Sequence, residues 1–549
     1  MKRPALRTFI LIPAAQLQYK GFGYFFSSIL KGANFFYQQV HMTADNDTTL
    51  TNTLFCAVFV ISALIRLYCL GQESIWLDEA YSLKFSSYAV THIFSQKESN
   101  PPLYYIFMHY WISLFGNSEF SLRLPSALFA IVSIPTLYRF GIRIAGRKAG
   151  LLASLFLTIS VFHLFYSQEA RVYSLLLLLS LFSMSIFHLL LSRPNARLCI
   201  AYVFFSVLLV YSHIYGLFII LCQNICFAAC ICLDRKSCRC TRQKWLYLQL
   251  CVLALFAPWL PILLDQIFFI QADYWWLSRP DLSTLYTTFL SFSNNSVVIL
   301  ILYVAFAALS CFPLYRSASQ SAGKPLRSLL KAFFKTNRDV SLLALWLVIP
   351  IVFPYIISQL SSSIYFPRYT IVSLPALYLL TAKGLCRLRF QRARLIIVIV
   401  ILIFSVQPLW QYFSGPHKSG WRKLVEYIDT HAHHDDLLVF NSFICKDLLF
   451  NYYSQREDLI NTSSFPDVPF EAQFKDPTVD VVDDAYKKAL RSLANRHDRI
   501  WVISAYSSDI QRKRIRTILS MSHKMLDHKR FFGKHVYLFT GMCRESPAL

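Results

Sequence analysis

The chain alternates between long apolar runs and short polar stretches that carry most of its lysine and arginine. A helix that crosses a bilayer needs about 20 mostly apolar residues. Stretches of that kind run approximately over 53–70, 122–141, 149–167, 172–191, 198–213, 214–233, 246–264, 294–314, 341–360, 368–384 and 394–413, which predicts eleven spans. Only Tyr211-Ser212-His213-Ile214-Tyr215-Gly216 separates the fifth from the sixth, so a very short turn is expected there. The segment 102–115 is apolar but short, and reads as an interfacial or re-entrant helix.

The pattern changes after residue 413. Residues 414–549 are polar and suit a small α/β domain. Trp421–His431 is a plausible amphipathic helix and Asp509–His523 a basic one. Asp436–Phe440, Ile500–Ser504 and Val536–Thr540 have the pattern of strands. At the other end, Lys2, Arg3, Arg7, Lys20 and Lys31 interrupt the apolar patches, so no run in 1–41 is long enough to span. Met42 is the expected natural start; an amphipathic arm on the inner leaflet is the alternative.

Only 15% of the residues are charged and 55% are hydrophobic, whereas soluble proteins carry about 25% charged residues. The net charge of +24 suggests a nucleic-acid partner until its distribution is considered. One set of alternate loops holds 22 Lys and Arg residues, from Arg139 to Arg394; the opposite set holds six, namely Lys84, Lys97, Arg123, Arg171, Arg279 and Arg368. Positive charge accumulates on the cytoplasmic side of membrane proteins. The asymmetry therefore places the N-terminus inside and the C-terminal segment outside, and no nucleic acid is expected.

The expected class is an all-α polytopic membrane protein of about eleven transmembrane helices with a C-terminal extracytoplasmic α/β domain. Residues 1–52 form a cytoplasmic segment, 53–413 the membrane domain with a long outer loop at 71–121, and 414–549 the outer domain. Of the 14 cysteines, Cys230, Cys232, Cys238, Cys240 and Cys386 lie at or near basic inner loops, where thiols stay reduced. Cys445 and Cys543, both outside, are placed in the compartment where a pair can oxidise.

Four outer-side patterns carry candidate chemistry. Trp76-Leu77-Asp78-Glu79-Ala80-Tyr81-Ser82 follows the first span, and its two adjacent carboxylates cost desolvation at a membrane surface. One could act as a general base toward a hydroxyl or amine; a solvated acidic loop is the plainer reading. Asn100-Pro101-Pro102-Leu103 stiffens the chain ahead of a helix. Tyr166-Ser167-Gln168-Glu169-Ala170-Arg171-Val172-Tyr173 makes a tight turn between two spans, where Glu169 and Arg171 can share a cavity. Tyr365-Phe366-Pro367-Arg368-Tyr369 opens a late span with an arginine, which a bound phosphate would stabilise through bidentate contacts.

These patterns, in this order, resemble the GT-C superfamily of integral membrane glycosyltransferases. The chain is most similar to the branch of the protein O-mannosyltransferases and the bacterial lipid A aminoarabinose transferase (glycosyltransferase family 39-like). The similarity covers roughly 53–235 and 345–440. It implies inverting transfer of a sugar from a polyprenyl-phosphate donor to a lipid, glycan or protein acceptor, at the outer face of a plasma (inner) membrane. It implies Asp78 as catalytic carboxylate with Glu79 beside it. Asn100, Glu169, Arg171, Tyr173, Arg368 and Tyr369 would bind substrate, with Arg368 on the carrier phosphate. Where O-mannosyltransferases have His-Pro-Pro-Leu this chain has Asn100, which argues against a protein acceptor of the mannosyltransferase type. Some relatives hold a divalent metal; Glu98, Glu169 and His213 are the outer-side groups able to serve, and no metal is assigned.

The absence of a P-loop and of a Gly-rich dinucleotide fingerprint agrees with a donor already activated by its phosphodiester. Two other classes stay open: a polyprenyl-lipid flippase or transporter, and a non-enzymatic envelope-assembly protein. Transporters show internal repeats, and none is evident between the halves. Two further clusters, Cys230/Cys232/Cys238/Cys240 and His431-Ala432-His433-His434-Asp435-Asp436, read as free thiols and a solvated turn rather than metal sites. Arg512, Lys513, Arg514 and Arg516 read as a solvated or headgroup-facing helix face.

Overall fold

The computed structural model describes residues 46–95, 100–233, 238–271, 277–319, 338–415, 418–440, 445–456, 462–464, 484–505 and 509–541. The expectations that concern residues 1–45, Glu98 and Cys543 lie outside these. Among the described residues, seven helices are long and apolar enough to cross a membrane: Thr48–Leu67, Glu119–Ala145, Tyr173–Ser192, Tyr215–Leu233, Arg242–Ile267, Arg338–Leu360 and Gln391–Ser414. Two bent pairs, Arg147–Ile159 with Val161–Ser167 and Leu282–Phe292 with Val297–Phe312, raise the count to nine if each is one span. The chain is a multi-pass membrane protein.

The remaining two of the eleven expected spans are shorter. Ala196–Ser212 has 17 residues, and 368–384 is a 3-10 turn, Pro367–Ser373, leading into the 12-residue helix Leu374–Leu385. Neither is a single α-helix of 18 residues or more. Leu374–Leu385 is buried almost throughout against other helices, and a helix enclosed by protein is as apolar as one facing lipid. The stretch between the spans expected over 246–264 and 294–314 holds helical segments, within Leu260–Gln271 and Leu282–Phe292.

The first bend was expected to be straight over 149–167, but Ser160 leaves the helical region at ψ 110° and turns the axis by 62°. Broken helices survive at membrane depth only where their freed backbone groups are satisfied by protein. Asn294, at the second bend, does this for the first: its side chain accepts from Val161 N at 2.8 Å and donates to Ile159 O at 3.1 Å. It also donates to Ser405 Oγ at 3.0 Å, adding the last membrane helix. One asparagine thus joins three parts of the membrane domain.

Buried charge is handled in the same way. Arg66, fully buried in the first helix, donates to Ser62 Oγ at 2.7 Å and Leu157 O at 3.0 Å, and lies 2.8 Å from His163 Nδ1. Helix contacts are close where side chains are small. At Gly384 a Cβ would meet Phe306 O at 1.8 Å, so only glycine lets these two helices approach.

Among the described residues, the C-terminal part carries a five-stranded sheet in the order β2-β1-β3-β5-β4. The strands are β1 (Leu437–Phe440), β2 (Thr462–Ser464), β3 (Arg499–Ser504), β4 (His523–Phe531) and β5 (Lys534–Gly541). β1 pairs in parallel with β2 and β3; β5 runs antiparallel to β3 and β4. Leu437, Val439, Ile500, Val502 and Phe539 pack with Leu490, Ile515 and Leu519 from helices Asp484–Ala494 and Asp509–Leu519. The helix expected to reach His523 stops at Leu519, because β5 recruits 523–531 as a hairpin partner. β4 has a mostly exposed pattern, so an isolated reading of its residues shows no buried stripe to mark it.

Candidate active site

The short helix Leu77–Ser87 carries Asp78 and Glu79 in its first turn, where the positive end of the helix dipole favours carboxylates. The two residues face different surroundings. Glu79 is fully buried. Its Oε1 accepts from Arg123 Nε at 2.7 Å, Lys418 Nζ at 3.0 Å and Ala170 N at 3.0 Å, and its Oε2 from Arg123 Nη2 at 2.7 Å. Burial pushes this carboxyl up, but Arg123 and Lys418 outweigh it and hold the pKa at about 2.

Arg123 also donates to Leu70 O, Glu73 O and Ser74 O at 2.8–3.1 Å, folding the loop after the first span onto helix Glu119–Ala145. It was expected only as one of six outer-loop cations. Its place in the sequence, four residues into an apolar span, marks it as a charge in need of a partner.

Asp78 points elsewhere. Its side chain keeps 21% exposure, and its Oδ2 accepts from Arg368 Nη1 at 2.7 Å. Arg368 is held in an aromatic frame: its guanidinium carbon lies 4.6 Å from the Phe366 ring centroid, 5.5 Å from Tyr173 and 5.7 Å from Tyr369. Cation–π contact of this kind fixes the fork without consuming its donors. Arg171 reaches the same region, donating to Asp78 O and Ser82 Oγ, each at 3.4 Å.

Glu169 is fully buried, and among the described residues neither carboxylate oxygen has a hydrogen-bond partner. Burial raises its pKa; Asp78 adds to the rise, while Lys418 and Arg368 oppose it. Tyr173 Oη and Arg171 Nε are likewise buried and unpartnered. Buried polar atoms are nearly always satisfied in native proteins, so this cluster marks a place for ligand polar groups.

His213, in the turn between Ala196–Ser212 and Tyr215–Leu233, stands 4.7 Å from the Tyr369 ring. Burial, then Arg171 and Arg368, lower its pKa to about 3, so the ring is neutral. Its Nδ1 accepts from Tyr215 N at 3.2 Å. Asn100 is buried, and its amide donates to Tyr105 Oη at 3.4 Å. Among the described residues, no three His, Cys, Asp or Glu side chains gather as a set of metal ligands. Asp436, from the His-rich turn, instead binds Arg499 Nε at 2.9 Å and Trp501 Nε1 at 2.7 Å inside the outer domain.

The structure thus brings Asp78, Glu169, Arg171, Tyr173, Arg368 and Tyr369 together, with Glu79 behind them. It adds Arg123, Lys418, Ser82 and Phe366, which the sequence patterns did not single out.

Residues 99–262 match the family described as dolichyl-phosphate-mannose-protein mannosyltransferase. No curated protein matches the sequence. Apo ArnT from Cupriavidus metallidurans is similar in structure with a TM-score of 0.56 at 14% identity, over 90% of this chain and 98% of that one. The same protein bound to undecaprenyl phosphate gives 0.53 at 13% identity, over 88% and 97%. The fold is of the GT-C type, as the sequence resemblance implied.

Proposed function

We propose that this chain is a glycosyltransferase that moves a sugar from a polyprenyl-phosphate donor to an acceptor at the outer face of the plasma membrane, with inversion. The observation that carries the reading is the Asp78–Arg368 pair: a partly exposed carboxylate hydrogen-bonded at 2.7 Å to an arginine caged by three aromatic rings. The binding of undecaprenyl phosphate by ArnT, whose fold this chain shares, supports a lipid-phosphate donor.

Each member of the pair has one task. Arg368 presents a planar fork that matches phosphate oxygens. On donor binding it turns from Asp78 to the phosphate, and Asp78 becomes free to accept a proton. The acceptor hydroxyl or amine attacks C1 from the face opposite the phosphate. The C1–O bond breaks, its electron pair leaves with the polyprenyl phosphate, and the acceptor proton passes to Asp78. Arg368 stabilises the charge that develops on the leaving phosphate. Arg171, Tyr173 and Glu169 offer unpartnered groups to the sugar hydroxyls. Tyr369 stacks against Tyr173 at 6.1 Å and keeps the frame rigid. Glu79 acts through its ion pairs, holding the start of the Asp78 helix.

Positive charge concentrated on one side places the N-terminus in the cytoplasm and the sheet domain outside. The outer domain then sits where it can select the acceptor.

The test is sugar transfer by purified, reconstituted protein from a panel of radiolabelled polyprenyl-phosphate sugars, with a membrane extract as acceptor source. Carrier-dependent transfer that collapses in Asp78→Asn is expected. Transfer that survives in Asp78→Asn would overturn the role of Asp78, and no use of any donor would overturn the transferase.

A further inference from the structure

Lys418 belongs to the chain between the last membrane helix, Gln391–Ser414, and the first helix of the outer domain, Trp421–His431. Its side chain is only 4% exposed. Its ammonium donates to Glu79 Oε1 at 3.0 Å and to the carbonyl of Gln168. Both acceptors are immediate sequence neighbours of the two carboxylates that face Arg368: Glu79 follows Asp78, and Gln168 precedes Glu169. Lys418 is also the strongest charge favouring an ionised Glu169.

The contacts around it run in the same direction. Ser74 and Ser419 form an isolated antiparallel bridge. Arg422 donates to Gly71 O at 3.2 Å and Gln72 O at 3.0 Å, and pairs with Glu119. Tyr453 Oη accepts from Ile75 N at 2.7 Å and donates to Glu119 at 2.9 Å. The base of the outer domain therefore grips loop 70–76, the segment that leads into the Asp78 helix. Burying a lysine is costly unless its charge is used. Here the fold spends that cost on two backbone segments from opposite sides of the site.

We propose that Lys418 is a positioning residue, which ties the seating of the outer domain to the assembly of the Asp78 and Glu169 segments into one site. The proposal rests on the transferase reading above. Withdrawal of Lys418 leaves Glu79 with Arg123 as its remaining cation, so the Asp78 helix stays folded. The turn at Gln168–Glu169 then keeps the Ala170 amide on Glu79 and the longer 3.4 Å contacts of Arg171 to Asp78 O and Ser82 Oγ, but loses the ammonium that clamps Gln168 O to Glu79.

The experiment compares Lys418→Met and Lys418→Arg with wild type, using two readouts. In the transfer assay, misplacing reacting groups by about 1 Å costs roughly 100-fold. Lys418→Met is therefore expected to lower kcat by about that factor while donor KM changes little, and Lys418→Arg to recover most of it. The second readout is maleimide labelling of Ser82→Cys, mapped by peptide mass spectrometry. Ser82 is buried between Asp78 and Arg171, so its thiol should label slowly in the wild-type background and several-fold faster with Lys418→Met. Should Lys418→Met fail to fold, Lys418→Gln, which keeps one donor, takes its place. Wild-type kcat together with wild-type labelling in Lys418→Met would overturn the proposal. Loss through KM alone would overturn it as well, since that describes binding rather than positioning. If the wild type uses no donor yet labelling responds to Lys418, the transferase reading falls and the positioning role stands.

Discussion

Arg368 Nη1 donates to Asp78 Oδ2 at 2.7 Å across 290 residues of sequence. The contact joins the loop after the first span to a 3-10 turn that opens a late helix, and it neutralises two buried or half-buried charges at once. Such a pair is poised rather than idle, because a phosphate can displace the carboxylate without leaving the guanidinium unpaired.

Removing the carboxylate charge should abolish proton transfer and little else. Asp78→Asn keeps the size and one acceptor, and general-base catalysis contributes about 10²–10⁴-fold. The expected result is a fall in kcat of that order with donor binding retained. Steady-state kinetics with the reconstituted protein measure it.

Arg368→Lys tests geometry against charge. A lysine keeps the positive charge but loses the planar fork and its aromatic stacking. The ratio kcat/KM for the donor should fall by roughly 10- to 150-fold in total, the loss expected from one charge-assisted bond of about 1.5–3 kcal/mol. A lysine enzyme indistinguishable from wild type would show that a point charge suffices.

Arg123→Leu should fold poorly. It strips the bidentate partner from a fully buried Glu79, and breaking a buried pair from one side costs about 3–5 kcal/mol. Thermal unfolding in detergent should show a large loss, and Glu79→Gln in the same background should recover part of it by removing the stranded charge.

The same pair sets an acid limit. Glu79 titrates at about 2 in the folded protein, below the ordinary value of about 4.3. A depressed carboxyl stabilises the fold above its unfolded pKa and loses that contribution as pH falls toward the folded one. Stability from this group should therefore be flat from pH 7 to 5 and decline below about pH 4. Unfolding midpoints measured against pH should show that decline in the wild type and a weaker one in Glu79→Gln.

Gly384→Ala probes the membrane core. The added methyl would meet Phe306 backbone at 1.8 Å, and overpacking of this kind costs about 1–3 kcal/mol. A lowered unfolding midpoint, with kcat unchanged in the protein that remains folded, is the expected outcome.

Apolar runs, the one-sided distribution of lysine and arginine, and the ordered patterns around Asp78, Glu169 and Arg368 are local in sequence. They sufficed to indicate a multi-pass membrane protein, the GT-C resemblance and most of the residues that converge. Hydropathy responds to the absence of water, whether lipid or protein replaces it. It could not foresee the bend at Ser160 that Asn294 repairs from a distant helix. The division of labour between adjacent carboxylates was equally out of reach. Asp78 and Glu79 differ by one position, about 100° around a helix. That angle turns one toward Arg368 and the other toward Arg123 and Lys418. Lys418 carries no local signal at all, since its partners lie 339 and 250 residues away, and only the packing of the outer domain on the loop brings them within reach.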